Sequence, residues 1–179
     1  TTREEAAGLP ADVLQAAAEL AQADAEKDGV AVDENSIKLT LKMPCYLPVM
    51  QFAQSSDLRQ QLYRAYATRA SELGQKPEWD NSAVMAEILT LRAEEAQLLG
   101  YANFAELSLV PKMADSPAQV MAFLRDLAAR ARPYAEQDVA DLRQFAAAEL
   151  GMNEPQAWDW TYISEKLKEA FTEATKADL

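Results

Sequence analysis

Residues 116–151 read SPAQVMAFLRDLAARARPYAEQDVADLRQFAAAELG, and this stretch decides the fold. Ser116 suits an N-cap, Pro117 suits the first helical position, and Gln119 completes a capping box. From there Val120, Phe123, Leu124, Leu127, Ala131, Tyr134, Ala135, Leu142, Phe145 and Ala146 recur at helical spacing to Leu150, and Gly151 terminates the run. At 1.5 Å per residue this is one helix of about 50 Å, with Pro133 as the expected bend. A helix of this length cannot be a crossover inside a small sheet protein. It commits the chain to an all-α architecture, a mostly helical array.

The flanking segments agree. Pro10 opens an Ala-rich helix that runs to about Asp28 and stops at Gly29. Residues 30–41 change character: Val30 and Val32, then Ile37, Leu39 and Leu41, alternate with other residues around the turn-forming Asp33-Glu34-Asn35-Ser36. The pattern predicts a minor β-hairpin near 30–41 leaning on helices. Pro44 ends it, and Pro48 opens a short helix, Val49 to about Gln54. A longer helix follows from about Asp57 to Leu73, with Leu58, Leu62, Tyr66, Ala70 and Leu73 on one face and Gly74 as terminator. Asn81 or Ser82 caps the next helix, which carries Val84, Ile88, Leu91 and Leu98 and stops at Gly100. Phe104–Leu109 is a short helical piece, and a last helix runs from near Trp158 or Asp159 to about Ala170. The expected core is Leu39, Leu41, Leu62, Tyr66, Ile88, Leu91, Leu98, Phe104, Leu107, Phe123, Leu124, Leu127 and Leu142. Residues 1–8 read as frayed.

Composition narrows the function classes. With 179 residues, 49% of them hydrophobic, the chain supports one helical domain with a real core. The net charge of −12 argues against nucleic acid and against anionic membrane surfaces. No apolar run approaches the roughly 20 residues needed to span a bilayer. One cysteine permits no internal disulfide, and a cytoplasmic setting is the default expectation. The chain has no histidine. This removes Ser-His and Cys-His nucleophile pairs, His-ligated zinc and Glu-x-x-His di-iron sites.

What remains for chemistry is sparse. Glu94-Glu95 beside Arg92 reads as a charged helix face with local pairing, the alternative being an acid–base or metal pair. Cys45 lacks a base to take its proton and reads as a small apolar residue. Arg125, Arg130, Arg132 and Arg143 interleaved with Asp126, Glu136, Asp138 and Asp141 read as a solvated outer face. Trp158, Trp160 and Tyr162 fall within five positions. They are either an anchor of the last helix on the core or part of a cleft wall. No residue is assigned a catalytic, cofactor-binding or metal-binding role.

Several stretches in order carry a resemblance: LTLKMPCYLPVMQFA, LRQQLYRAYATRASELG, KPEWDNSAVMAEILTLRAEEAQLLGYANFAELSLVPKMADSP, FLRDLAARARPYAEQDVADLRQFAAAELG and WDWTYISEKLKEA, with GLPADVLQAA before them. From about Glu4 to Ala170 the chain resembles the thimet oligopeptidase family of zinc peptidases. The family usually has a Tyr pair after the Trp-Asp, and here the pair is Tyr162-Ile163. The tail from Phe171 to Leu179 does not continue the pattern and is expected to be a non-family or disordered tail.

The resemblance implies a longer, two-lobed helical peptidase that hydrolyses short peptides in a deep channel. Its zinc is held by an HExxH helix and a downstream Glu, with the motif Glu as general base. No position of this sequence matches that motif. The expectation is therefore a fragment: a non-catalytic helical segment that helps build the channel wall. Its partners are the missing catalytic lobe and, in the parent, short peptides. It carries no cofactor itself, with zinc in the parent only, and is inert alone. Apolar surface meant for the missing lobe would favour self-association. The alternative is a stand-alone helical protein- or peptide-interaction module.

Overall fold

The computed structural model describes residues 1–31, 33 and 35–177, with side chains described to Glu173. It is all-α, with seven helices and no strand among the described residues: α1 (Ala11–Asp28), α2 (Met43–Phe52), α3 (Ser56–Ala67), α4 (Ser82–Leu98), α5 (Phe104–Leu109), α6 (Pro117–Glu149) and α7 (Trp160–Ala177). A single 3-10 turn, Pro77–Trp79, precedes α4.

The chain divides into two units. The first comprises residues 1–67 and 140–179, the second residues 68–139. The first holds α1, α2, α3, α7 and the C-terminal end of α6. Ala6, Leu9, Ala17, Ile37, Val49, Ala53 and Leu58 form its buried cluster, with Val13, Leu14, Leu39, Phe52 and Leu62 packed around them. α2 packs against α7, α3 and α1.

The N-terminal segment is part of this core rather than frayed. Thr2 and Glu5 form a reciprocal capping box: the Thr2 N–H donates to Glu5 Oε2 (2.8 Å) and the Glu5 N–H donates to Thr2 Oγ1 (3.2 Å). Ala6 and Leu9 are buried. Gly8 adopts φ +94°, and a Cβ there would sit 2.3 Å from the Phe52 carbonyl oxygen. The Gln54 N–H donates to the Ala7 carbonyl (2.9 Å) across the same close approach. Only glycine serves where the backbone is both left-handed and this tightly apposed.

The hairpin expected near 30–41 is not a feature of the described residues; Val32 and Glu34 lie outside them. One antiparallel bridge joins Thr2 to Ser36. The extended segment after the turn instead bonds to the N-terminus and to α1. The Ile37 N–H donates to the Thr1 carbonyl (2.9 Å) and the Lys38 N–H to the Ala17 carbonyl (2.9 Å). The alternation correctly marks Ile37 as buried, and its backbone N–H is taken by Thr1.

Two other boundaries move. α2 starts at Met43, so Pro44 opens the helix and Pro48 lies inside it. Proline in the first turn costs no hydrogen bond. α3 stops at Ala67 instead of running to Leu73. Ala70 takes φ +56°, the one non-glycine positive φ among the described residues, and its carbonyl accepts the Asn81 N–H (3.1 Å).

In the second unit α4 packs against α5, and the described residues show no packing of α6 against either. Ala96 is its one buried apolar residue among those described. Ile88, Leu91, Leu98, Phe123, Leu124 and Leu127, all expected in the core, are exposed, Leu98 at 87% and Phe123 at 65%. The helical spacing is right, but among the described residues these apolar side chains are left uncovered. α6 continues through Pro133, and α7 continues past Ala170 into the stretch beyond Phe171.

Candidate functional site

The aromatic segment at the start of α7 is built around a buried ion pair that the sequence does not reveal. Arg59, in the first turns of α3, is fully buried, and Asp159, preceding α7, is 5% exposed. Arg59 Nη2 donates to Asp159 Oδ1 at 2.6 Å. Arg59 Nη1 donates to the carbonyls of Ala53 (2.5 Å) and Gln54 (3.2 Å), where α2 ends. Ser56 Oγ donates to Asp159 Oδ1 (3.0 Å), and the Gln156 N–H donates to Asp159 Oδ2 (3.0 Å). The guanidinium lies at the negative end of the α2 dipole and the carboxylate at the positive end of the α7 dipole. The carboxylate and both Nη atoms are thus bonded to protein groups, which offsets part of the pair's desolvation, while the buried Arg59 Nε has no hydrogen-bond partner among the described residues.

Two of the three aromatics, Tyr162 and Trp158, flank this pair. Tyr162 is buried, with the Arg59 guanidinium carbon 4.3 Å from its ring centroid, a cation–π geometry. Trp158 is half-buried and donates from Nε1 to Ser56 Oγ (3.1 Å), with its ring 6.2 Å from that of Tyr63. Trp160 is half-buried, and the Arg143 guanidinium carbon stands 5.8 Å from its ring. Across the same junction Gln51 Nε2 donates to Glu165 Oε2 at 3.2 Å, tying α2 to α7. The cluster docks α7 onto α2 and α3. It offers aromatic edges and no nucleophile, base or metal donor set.

The remaining sequence candidates stay apart. Glu94 and Glu95 are exposed, and Arg92 lies over the Phe104 ring (4.9 Å). On α6, Arg130 pairs with Asp126 (2.9 Å) and Arg132 with Glu136 (3.6 Å), all well exposed, as expected of a solvated face. Cys45 is half-buried and its Sγ accepts from the Thr40 N–H (3.2 Å). Next to it, Tyr46 stacks on Tyr66 with centroids 4.3 Å apart. Burial, then the neighbouring Tyr63 and Tyr66, raise the Tyr46 phenol above its ordinary pKa. Among the described residues no three His, Cys, Asp or Glu side chains converge as metal ligands. With no histidine and one cysteine, the chain does not fit a histidine-held zinc. No described helix is long and apolar enough to cross a membrane.

Comparison with known proteins places this geometry. Residues 49–179, most of the chain, match the model of peptidase family M3. Oligopeptidase A of Salmonella typhimurium is 51% identical over 170 residues, 94% of this chain and 24% of the relative. A probable cytosolic oligopeptidase A of Arabidopsis thaliana is 37% identical over 182 residues, 100% of this chain and 25% of that protein. Saccharolysin of Saccharomyces cerevisiae is 30% identical over 171 residues, 92% of this chain and 22% of the relative. The chain thus spans about a quarter of the length of the curated relatives it matches. The match extends through residue 179, taking in the segment from Phe171 onward. The chain belongs to peptidase family M3 and is similar to a segment of bacterial oligopeptidase A.

Proposed function

We propose that this chain is a non-catalytic helical segment of an oligopeptidase A-like zinc metallopeptidase that hydrolyses short peptides. The observation that carries the reading is the coincidence of a family match over residues 49–179 with a complete lack of histidine. In that peptidase the zinc and its general base come from residues outside this sequence. This segment supplies scaffold, contributes to the wall of the peptide channel, and is inert alone. Trp158 and Trp160, half-buried at the α7 junction, are the side chains proposed to present aromatic surface to the channel, with Tyr162 buried beside Arg59. A cytoplasmic setting suits a peptidase of short peptides.

The uncovered stripe supports the same reading. Ile88, Leu91, Leu98, Phe123, Leu124 and Leu127 on α4 and α6 are all exposed among the described residues. Exposed apolar surface on this scale marks an interaction site. Its proposed occupant is the remainder of the peptidase, the catalytic lobe, and in isolation the same surface drives self-association.

The test is direct. The purified 179-residue chain is analysed for zinc and incubated with a quenched fluorogenic peptide. Neither zinc nor cleavage is expected. Stoichiometric zinc with chelator-sensitive cleavage overturns the proposal.

A further inference from the structure

The first unit contains a cavity of about 190 Å³ between α1 and the start of α2. Val13, Ala16 and Leu20 of α1 line it together with Pro44 and Cys45. An enclosed engineered cavity of about 150 Å³ lined by apolar side chains binds benzene. This space is of similar size but open to solvent on one side, and its apolar wall accepts a phenyl or branched-alkyl group.

The charged groups of the lining are both cationic. Ala17, Lys38, Thr40 and Lys42 complete it, and no acidic residue does, although the chain carries 29 acids against 17 bases. Lys38 is engaged by Asp24. Lys42 has no ion pair among the described residues and immediately precedes α2, whose N-terminus adds positive potential at the same edge. An apolar interior with one uncommitted ammonium selects an amphiphile of negative charge.

The geometry points to a binding site for a small amphiphilic monocarboxylate, its apolar group in the cavity and its carboxylate at Lys42. Cys45 lines the cavity and is the only cysteine of the chain, so it reports occupancy without an added label. It plays no covalent part. The site is independent of the proposed peptidase role.

The probe is hydrocinnamate, compared with hydrocinnamyl alcohol and the corresponding primary amine. Two readouts are followed on the whole chain: the rate of Cys45 alkylation by N-ethylmaleimide, a neutral reagent, and the NMR methyl shifts of Val13 and Leu20. Hydrocinnamate is expected to slow alkylation saturably and shift both methyl sets, with half-effect at about millimolar concentration. The alcohol is expected to bind about threefold more weakly, as one exposed ion pair allows, and the amine more weakly still. Lys42→Gln removes the difference between acid and alcohol. Ala16→Phe, at an exposed helical position, fills the cavity and abolishes both effects. Unmoved methyl shifts with unaltered alkylation overturn the proposal. So does an amine that binds as tightly as the acid, or protection that survives Ala16→Phe.

Discussion

The two units carry the same sequence grammar and reach opposite outcomes. In the first, α2, α3 and α7 close around a buried cluster and a buried ion pair. In the second, α4 and the 117–139 portion of α6 also carry large apolar residues at helical spacing, and those side chains stand in water. Periodicity reports that a helix has an apolar face. It does not report which chain covers that face. A fully buried leucine or phenylalanine gains about 1.5–3 kcal/mol relative to exposure. The second unit forgoes most of that gain, and such surface is retained where a partner supplies the missing contacts.

Substitutions at the Arg59–Asp159 pair should show the largest effects. Asp159→Ala leaves Arg59 buried and uncompensated, and a cost of about 3–5 kcal/mol is expected. Urea unfolding followed by Trp158 and Trp160 fluorescence, in a Trp79→Phe background, isolates the first unit. The double substitution Arg59→Met with Asp159→Leu should cost less than either single change, since it removes both charges at once. A double mutant that costs the sum of its parts breaks the assignment of the pair as one coupled device.

Gly8→Ala comes next. The left-handed backbone and the 2.3 Å approach to Phe52 predict a loss of about 3 kcal/mol in the same assay. A neutral result would detach the N-terminal segment from the core.

The second unit should respond in the opposite way. Leu91→Gln, Leu98→Gln and Phe123→Ser are expected to change stability by no more than about 0.5 kcal/mol each. Together they should lower self-association measured by sedimentation across concentrations. Losses of about 2 kcal/mol each would mean that the stripe is covered within this chain.

The smallest effect concerns pH at the start of α4. Asp80 accepts from the Ser82 hydroxyl (2.6 Å) and the Ser82 N–H (2.9 Å), which hold its carboxyl below the ordinary value of 3.8. A depressed folded-state pKa adds stability above the unfolded value and loses it as pH falls through the folded one. The Ser82 amide shift should therefore titrate below pH 3.8, and Asp80→Asn should abolish that titration. Titration at or above the ordinary value would contradict the hydrogen-bonded arrangement.

Much of this was legible in the residues. Caps and glycines placed α1, α4 and α6 within a few positions, because those signals are local. The capping box of Thr2 and Glu5 is equally local, although a charged terminus suggests fraying. The end of α3 depends on Ala70 in a left-handed conformation, which nothing in an alanine announces. Arg59 and Asp159 lie 100 residues apart, and no pattern in sequence links them. The nearest signal was an acid held between two tryptophans, a poor place for a solvated charge. The aromatic segment stands out in the sequence by its density of rings. Its role as an anchor became visible only once α3 supplied the guanidinium.

Native-state hydrogen exchange, read by mass spectrometry on the isolated chain, tests the central claim most directly. Amides of α2, α3 and the first turns of α7 should be protected at least about a hundredfold more than those of α4 and of residues 117–139 in α6, because burial sets the cost of local opening. Equal protection across the two units would contradict the account, since it would require α4 and α6 to be as well covered as the core around Arg59 and Asp159.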